Sequence, residues 1–318
     1  MPEDYNSVVI ENLLKQFGDF VAVDHINLEI RKGEVFGFLG PNGAGKSTTI
    51  RMLCGLLTPT SGRAQVAGYD VGREPESVRQ NIGYMSQKFS LYNDLKVIEN
   101  IRLFAGLYSV PSDKLRDRIE WALEMANLKG QETLITGTLP GGWKQRLALG
   151  CAVLHKPPVI FLDEPTSGVD PISRRQFWDL IHHMAEEGVT VFVTTHYMEE
   201  AEYCNRLALI FRGQIVALGT PSELKQKSMK GELLLVECEP LGKAVEVLQS
   251  APDVIDAAVF GNALHLVVRD ATTAVPRVQK YLSDHSITVT RIEKIGPSLE
   301  DVFVSLTTMR DSGKERRA

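Results

Sequence analysis

Residues Gly40 to Thr48 read GPNGAGKST. Three glycines, a lysine and two hydroxyl residues at this spacing suit the holding of phosphate. In a loop made of Gly40, Pro41, Asn42, Gly43, Ala44, Gly45, Lys46, Ser47 and Thr48, the glycines let backbone N–H groups close around phosphate oxygens. Lys46 brings a positive charge to the β and γ phosphates, and Ser47 can ligate Mg²⁺. The run VIFLDEP adds a second group of polar atoms, Asp163 and Glu164, at the C-terminal edge of a strand, where open α/β sheets bind ligands. Asp163 would hold the water shell of Mg²⁺, and Glu164 would polarise an attacking water. Read alone, the two acids could equally open a turn before Pro165. The loop at Gly40 is what makes them a partner site.

The elements that must position these groups are short β-branched runs alternating with longer helical patterns as far as about residue 220: SVVIENL, HINLEI, EVFGFLG, AQVAGY, PVIFLDEP, TVFVTTH, LALIF and QIVALG. Such alternation implies a sheet with helices packed on it, an α/β fold. PVIFLDEP and TVFVTTH are apolar on consecutive residues, as central strands buried on both faces are. From about Asn93 to Met125 apolar residues recur at three-and-four spacing with no strand between, which predicts an inserted helical subdomain within roughly residues 90–150. Asp94 and Ser112 are its expected N-caps, and Pro111 is the expected stop of its first helix. After residue 228 the pattern becomes strand, helix, strand, strand, helix, strand, the βαββαβ order of a small ferredoxin-like α+β domain over residues 229–308, followed by a polar tail, 309–318.

The formal net charge of -5 gives no electrostatic footprint for nucleic acid, which is therefore not an expected partner. Cys54, Cys151, Cys204 and Cys238 stand far apart without a CxxC pair and read as ordinary buried thiols of a reducing compartment. The acidic start, MPEDYNSVVIENLL, lacks the basic and apolar regions of a signal peptide. No apolar run approaches the ~20 residues that cross a bilayer, so a membrane role is expected to come through a partner.

With these motifs in order, Ser7 to Leu224 resembles the nucleotide-binding subunit of an ABC transporter. The resemblance implies a P-loop ABC ATPase domain using ATP and Mg²⁺. It makes Phe17, in LKQFGDF, the aromatic that stacks on adenine, although by itself Phe17 would read as a core residue. Gln87, in IGYMSQKFSLY, is similar to the glutamine that touches Mg²⁺ and links the site to the membrane partner. TSGVD, ending in Asp170, occupies the position that crosses between two nucleotide domains, while Asp170 and Pro171 also read as a helix start. His196, in VTTHYMEEAE, corresponds to the histidine that contacts the γ-phosphate. The phrases FGFLGPNGAGKSTTIRMLCGLL and GPSLEDVFVSLT resemble the stand-alone ATPase subunits of ABC-2-type exporters, including the drug-resistance group.

LPGGWKQR stands where that family has a leucine-serine-glycine-glycine-glutamine signature closing over the ATP of the opposite protomer. Leu139, Gly141 and Gly142 fit, but Pro140 replaces serine and Trp143 replaces glutamine. Proline has neither hydroxyl nor N–H, so one charge-assisted hydrogen bond of about 1.5–3 kcal/mol is missing. Pro140 suits the first position of a helix, where the two glycines still let phosphate approach free N–H groups. Trp143 either stacks on the ribose side of the nucleotide or packs on the subdomain surface. The resemblance implies an ATP hydrolase, peripheral on the cytoplasmic face of the membrane. It would work as a head-to-tail dimer, homodimer before heterodimer, on separate polytopic permease subunits. The alternatives are a soluble ABC switch acting on ribosomes or DNA, and a subunit that senses ATP without turning it over. The altered signature favours the latter, and the presence of Glu164 and His196 opposes it.

Overall fold

The computed structural model describes residues 6–87, 91–227 and 231–315. The acidic start over residues 1–5, the expected junction at 228–229 and the last residues of the polar tail lie outside them. The chain divides at Gly219/Thr220 into two compact units.

The first unit begins with β1 (Asn6–Phe17), β2 (Phe20–Arg31), β3 (Val35–Leu39), α1 (Lys46–Leu53), β4 (Ser61–Val66), β5 (Tyr69–Asp70), α2 (Pro75–Gln80) and β6 (Ile82–Met85). It continues with α3 (Val97–Leu107), α4 (Ser112–Met125), α5 (Gly141–Ala152), β7 (Val159–Asp163), α6 (Pro171–Glu186), β8 (Thr190–Thr195), β9 (Arg206–Phe211) and β10 (Gln214–Gly219). An antiparallel sheet has the order β2-β1-β4-β5. In β2, Ile26, Leu28 and Ile30 are buried while Asn27, Glu29 and Arg31 are exposed, the alternation of a sheet with one solvated face. AQVAGY, read above as one strand, splits into β4 and β5 because Ala67 and Gly68 both take positive φ and turn the chain.

The larger sheet has the order β10-β9-β3-β8-β7-β6 and is parallel except for β10. Every residue of β3, β7 and β8 is buried. Alternate residues face opposite cores: Ile160, Leu162, Val191 and Val193 join the cluster under the helical subdomain, while Phe161 and Phe192 join the cluster under the antiparallel sheet. That two-sided burial is why the runs are continuously apolar. The register sets Leu39 beside Thr195 and Asp163 beside Thr194, so β3, β7 and β8 deliver their C-terminal ends to one edge.

In the helical insertion α3 starts at Val97, not beside Asp94, and Glu99 reaches back to accept from the Lys96 N–H at 2.8 Å. It ends before Pro111: Ser109 takes φ +53, and the N–H groups of Ser109 and Val110 return to the carbonyls of Gly106 and Ala105 at 3.0 and 2.9 Å. Pro111 is the N-cap of α4, and Ser112 is that helix's first residue, so neither has its expected role. Buried Asn100 bonds to the Tyr92 carbonyl and to Thr136 Oγ1, each at 2.9 Å, tying the loops on either side of the helical pair.

The second unit comprises α7 (Pro221–Lys227), β11 (Glu232–Glu239), α8 (Leu241–Gln249), β12 (Val254–Phe260), β13 (Ala263–Val268), α9 (Ala271–Asp284), β14 (Thr288–Ile295) and α10 (Leu299–Glu315). Its sheet is antiparallel in the order β12-β13-β11-β14, a ferredoxin-like βαββαβ arrangement. The division falls earlier than residue 228 because Thr220 and Glu223 cap α7 reciprocally, at 3.0 and 3.1 Å, and α7 packs beside α10. Part of the expected tail is helical too, since α10 runs to Glu315. Asp301 fixes its start, accepting from the Ser298 N–H at 2.8 Å while lying 2.6 Å from His265 on β13.

Candidate functional site

The edge where β3, β7 and β8 end is where the sequence places its phosphate chemistry. Between β3 and α1 the chain curls from Gly40 to Gly45, with Asn42 and Gly43 exposed at the tip, Pro41 half-buried and Ala44 and Gly45 buried. Ala44 anchors the curl, its N–H donating to the Pro41 carbonyl and its carbonyl accepting from the Gly213 N–H at 3.0 Å. Gly45 has φ +109, and a Cβ there would sit 2.5 Å from the Ala22 carbonyl oxygen. At Gly40 a Cβ would lie 2.2 Å from the Ile210 carbonyl oxygen. Gly40→Ala is therefore expected to push β3 from β9 and cost about 1–3 kcal/mol. Urea denaturation would read this as a lower midpoint, and an unchanged midpoint would refute the clash.

The Lys46 side chain is buried and spans the curl, its Nζ donating to the carbonyls of Gly40 at 2.8 Å and Pro41 at 3.2 Å. Ser47, half-buried with Thr48 on the first turn of α1, donates from Oγ to Asp163 Oδ1 at 3.1 Å. Thr194 Oγ1 donates to the same oxygen at 2.7 Å. Glu164 leaves β7 with φ +49, a backbone that costs a non-glycine residue about 1 kcal/mol or more. It is held there because its N–H donates to both the carbonyl and Oγ1 of Thr194, at 3.1 and 3.0 Å. Its buried carboxylate divides its partners. Oε1 lies 3.1 Å from Lys46 Nζ, while Oε2 accepts from Gln87 Nε2 at 2.9 Å and lies 3.2 Å from His196 Nδ1. Six residues singled out in the sequence thus form two adjoining clusters, Ser47 with Asp163, and Lys46, Gln87 and His196 with Glu164.

The other sequence-derived residues sit around this network. Pro140 is the exposed N-cap of α5 and not its first helical residue, with φ -56 and ψ 151. Its carbonyl accepts from the N–H groups of Trp143 and Lys144, which leaves those of Gly141 and Gly142 outside the helical ladder. Gly142 faces α6 so closely that a Cβ would meet Ser173 Oγ at 2.5 Å. Leu139 is buried, and Trp143 packs half-buried against the core under the helical subdomain. Asp170 caps α6, accepting from the Ser173 N–H at 2.9 Å, and Ser173 holds its carboxyl below the usual range. Phe17 is 48% exposed at the end of β1, so it is no core residue; Lys15 Nζ lies 5.0 Å from its ring centroid.

A family model described as "ABC transporter" matches residues 23–167, and one described as "ATP-binding protein DrrA1-3-like, C-terminal domain" matches residues 219–307. The linearmycin resistance ATP-binding protein LnrL of Bacillus subtilis is 34% identical over 307 residues, 95% of this chain and 99% of that protein. The chain belongs to the ABC transporter ATP-binding protein family. The probable multidrug ABC transporter ATP-binding protein YbhF of Escherichia coli is 53% identical over 222 residues, 70% of this chain, and this chain spans only 38% of YbhF. A solved dimeric ATP-binding cassette in a post-hydrolysis state, bound to ADP and Pi, superposes with a TM-score of 0.61 at 28% identity, covering 67% of this chain and 98% of that one.

In this ABC ATP-binding protein some structural partners of the site escape the sequence reading. Thr194 orders both Asp163 and Glu164, yet in TVFVTTH it reads as a β-branched strand residue; a hydroxyl two positions before His196 was the available signal. Gln145 Nε2 donates to the Pro165 carbonyl, joining the signature helix to the chain just after Glu164. The four cysteines are buried, and burial raises the Cys54, Cys151 and Cys204 thiols well above the ordinary range and the Cys238 thiol above it.

Proposed function

We propose that this chain binds ATP with Mg²⁺ at the Gly40–Thr48 loop and hydrolyses it to drive an ABC-2-type exporter. The carrying observation is the shared Glu164 carboxylate, with the phosphate-binding lysine on one oxygen and Gln87 and His196 at the other. The residues fit the nucleotide and its metal: Gly40 and Gly45 let the curl close against the carbonyls of Ile210 and Ala22, and the hard oxygens of Ser47 and Asp163 suit Mg²⁺. Mg²⁺, when bound, would supply positive charge that offsets the phosphates.

In the work of this chain's own residues, Lys46 exchanges Glu164 and loop carbonyls for phosphate oxygens. Glu164, released from Lys46, keeps Gln87 and His196 and can accept the proton of an attacking water. Asp163 is already engaged beside it, its Oδ1 accepting from Ser47 and Thr194. The signature glycines support a head-to-tail pair of nucleotide domains, with Gly141 and Gly142 of one copy offering N–H groups to phosphate held by the other. A homodimer is the preferred pair. The solved dimeric cassette supports pairing, and the match along 99% of LnrL, a resistance ATP-binding protein, supports a subunit that works with separate permease subunits at the cytoplasmic face of a membrane. Among the described residues no helix is long and apolar enough to cross one.

Pro140→Ser would restore a phosphate-facing hydroxyl at an exposed N-cap. Serine's cap bond and proline's stiffening of the unfolded chain offset one another within about 1 kcal/mol. ATP turnover is expected to be equal or higher; a collapse would mean that proline is part of the working loop. The reading as a whole is tested by purifying the tagged chain from detergent-solubilised membranes, with phosphate release measured on the product. A co-purifying polytopic protein and ATP-dependent phosphate release support it. A chain that stays with ribosomes, DNA or nothing overturns the exporter assignment.

A further inference from the structure

The turn after His196 folds back on the loop after Glu164 through a buried acid that the proposed chemistry does not use. Glu200 is 1% exposed and lies in a 3-10 segment, Met198–Tyr203. Its Oε1 accepts from Thr166 Oγ1, two residues beyond Glu164, and lies 3.4 Å from Nε of Arg174 on α6. The Arg174 guanidinium sits 4.5 Å from the Tyr197 ring centroid, and its Nη2 donates to the Val169 carbonyl at 3.4 Å. The Tyr197 ring is in turn 4.1 Å from that of His196. From Glu164 the chain leads to Thr166, and from there contacts run through Glu200, Arg174, Tyr197 and His196 back to Glu164.

We propose that Glu200 is a positioning residue for hydrolysis, locking the Thr166–Asp170 loop to the turn that carries His196. The loop follows a left-handed Glu164 and contains Gly168 at φ +73; its own backbone closes two turns, Ser167 N–H to the Glu164 carbonyl at 3.2 Å and Val169 N–H to the Thr166 carbonyl at 3.3 Å, and side chains tie those turns to the surrounding elements. Pro165 is held by Gln145 and Asp170 by the start of α6, while the ties between them, at Thr166 and Val169, run through Glu200 and Arg174. A buried ion pair is a weak source of net stability, because desolvation offsets the attraction. This one is also incomplete, since Glu200 Oε2 finds no hydrogen-bond donor among the described residues. The carboxylate is better explained by geometry: it ties the loop that follows Glu164 to the turn that follows His196, whose Nδ1 lies 3.2 Å from Glu164 Oε2. The inference rests on the hydrolytic reading above.

The test compares Glu200→Ala, Glu200→Gln and Thr166→Val with the parent full chain. Glu200→Ala is expected to lower kcat about 10–100-fold, the cost of a small misplacement of reacting groups, with ATP affinity unchanged. Glu200→Gln keeps an acceptor for Thr166 and should recover most of kcat, whereas Thr166→Val should lose several-fold. Hydrogen exchange, which needs no turnover, should show residues 166–170 and 196–203 loosening together in Glu200→Ala while β3, β7 and β8 stay protected. Unchanged kcat in folded Glu200→Ala, or faster exchange across the whole first unit, overturns the proposal. A parent chain that binds ATP without releasing phosphate overturns the hydrolytic reading instead, and exchange alone then decides whether Glu200 locks the two segments.

Discussion

Glu164→Gln is expected to hold ATP at least as tightly as the parent chain and to slow phosphate release by at least about 100-fold, the lower range of what a positioned general base contributes. Both halves follow from the same pair of oxygens. In the structure Glu164 Oε1 lies 3.1 Å from Lys46 Nζ, so the carboxylate competes with phosphate for the lysine. An amide of the same shape is uncharged, which weakens that competition and leaves Lys46 freer for the nucleotide. The amide also lacks the basicity to accept a proton from water, and neighbouring Asp163 is tied to Ser47 and Thr194. Equilibrium ATP binding and single-turnover phosphate release separate the two effects. Undiminished release would remove Glu164 as the base and move the search to another group at the edge where β3, β7 and β8 end.

The legible part of this site is the part where chemistry restricts residue type. A phosphate loop needs glycines where side chains would strike Ile210 and Ala22, and a buried parallel strand needs apolar residues on both faces; both leave marks in the order of letters. Thr194 leaves no such mark, because a strand-forming threonine and a threonine that orders two carboxylates look alike. Glu200 is hidden for a related reason. It is one of two adjacent glutamates, and only the three-dimensional turn decides that Glu199 is exposed while Glu200 is buried. Local boundaries were lost where two signals competed. Asp94 and Pro111 are strong punctuation, but the ends of α3 were set by Glu99 and by the left-handed Ser109. At the signature, the substitution of proline was visible at once, whereas its place just outside the helix was not. The division between the units falls before α7, which looks in sequence like a continuation of the first unit, because α7 packs on α10.

Lys46→Ala is expected to abolish ATP turnover and weaken ATP binding about 10- to 150-fold, the worth of a charge-assisted bond of about 1.5–3 kcal/mol. It carries a second consequence that could be mistaken for the first. Lys46 and Glu164 are both nearly inaccessible, and removing one partner of a buried pair leaves an uncompensated charge at a cost of about 3–5 kcal/mol. A protein that has lost this much stability also binds ATP poorly, so the single variant cannot separate a missing ligand from a loosened fold. The double variant Lys46→Ala with Glu164→Gln does separate them. Removing both charges should recover much of the lost stability, because contacting residues couple by about 0.5–3 kcal/mol, while ATP binding stays weak because no cation faces the phosphates. Denaturation midpoints and ATP titrations on the same samples check this. Normal turnover in Lys46→Ala would overturn the phosphate-loop assignment. Recovery of ATP binding in the double variant would show that Lys46 serves to neutralise Glu164 and not to hold the nucleotide.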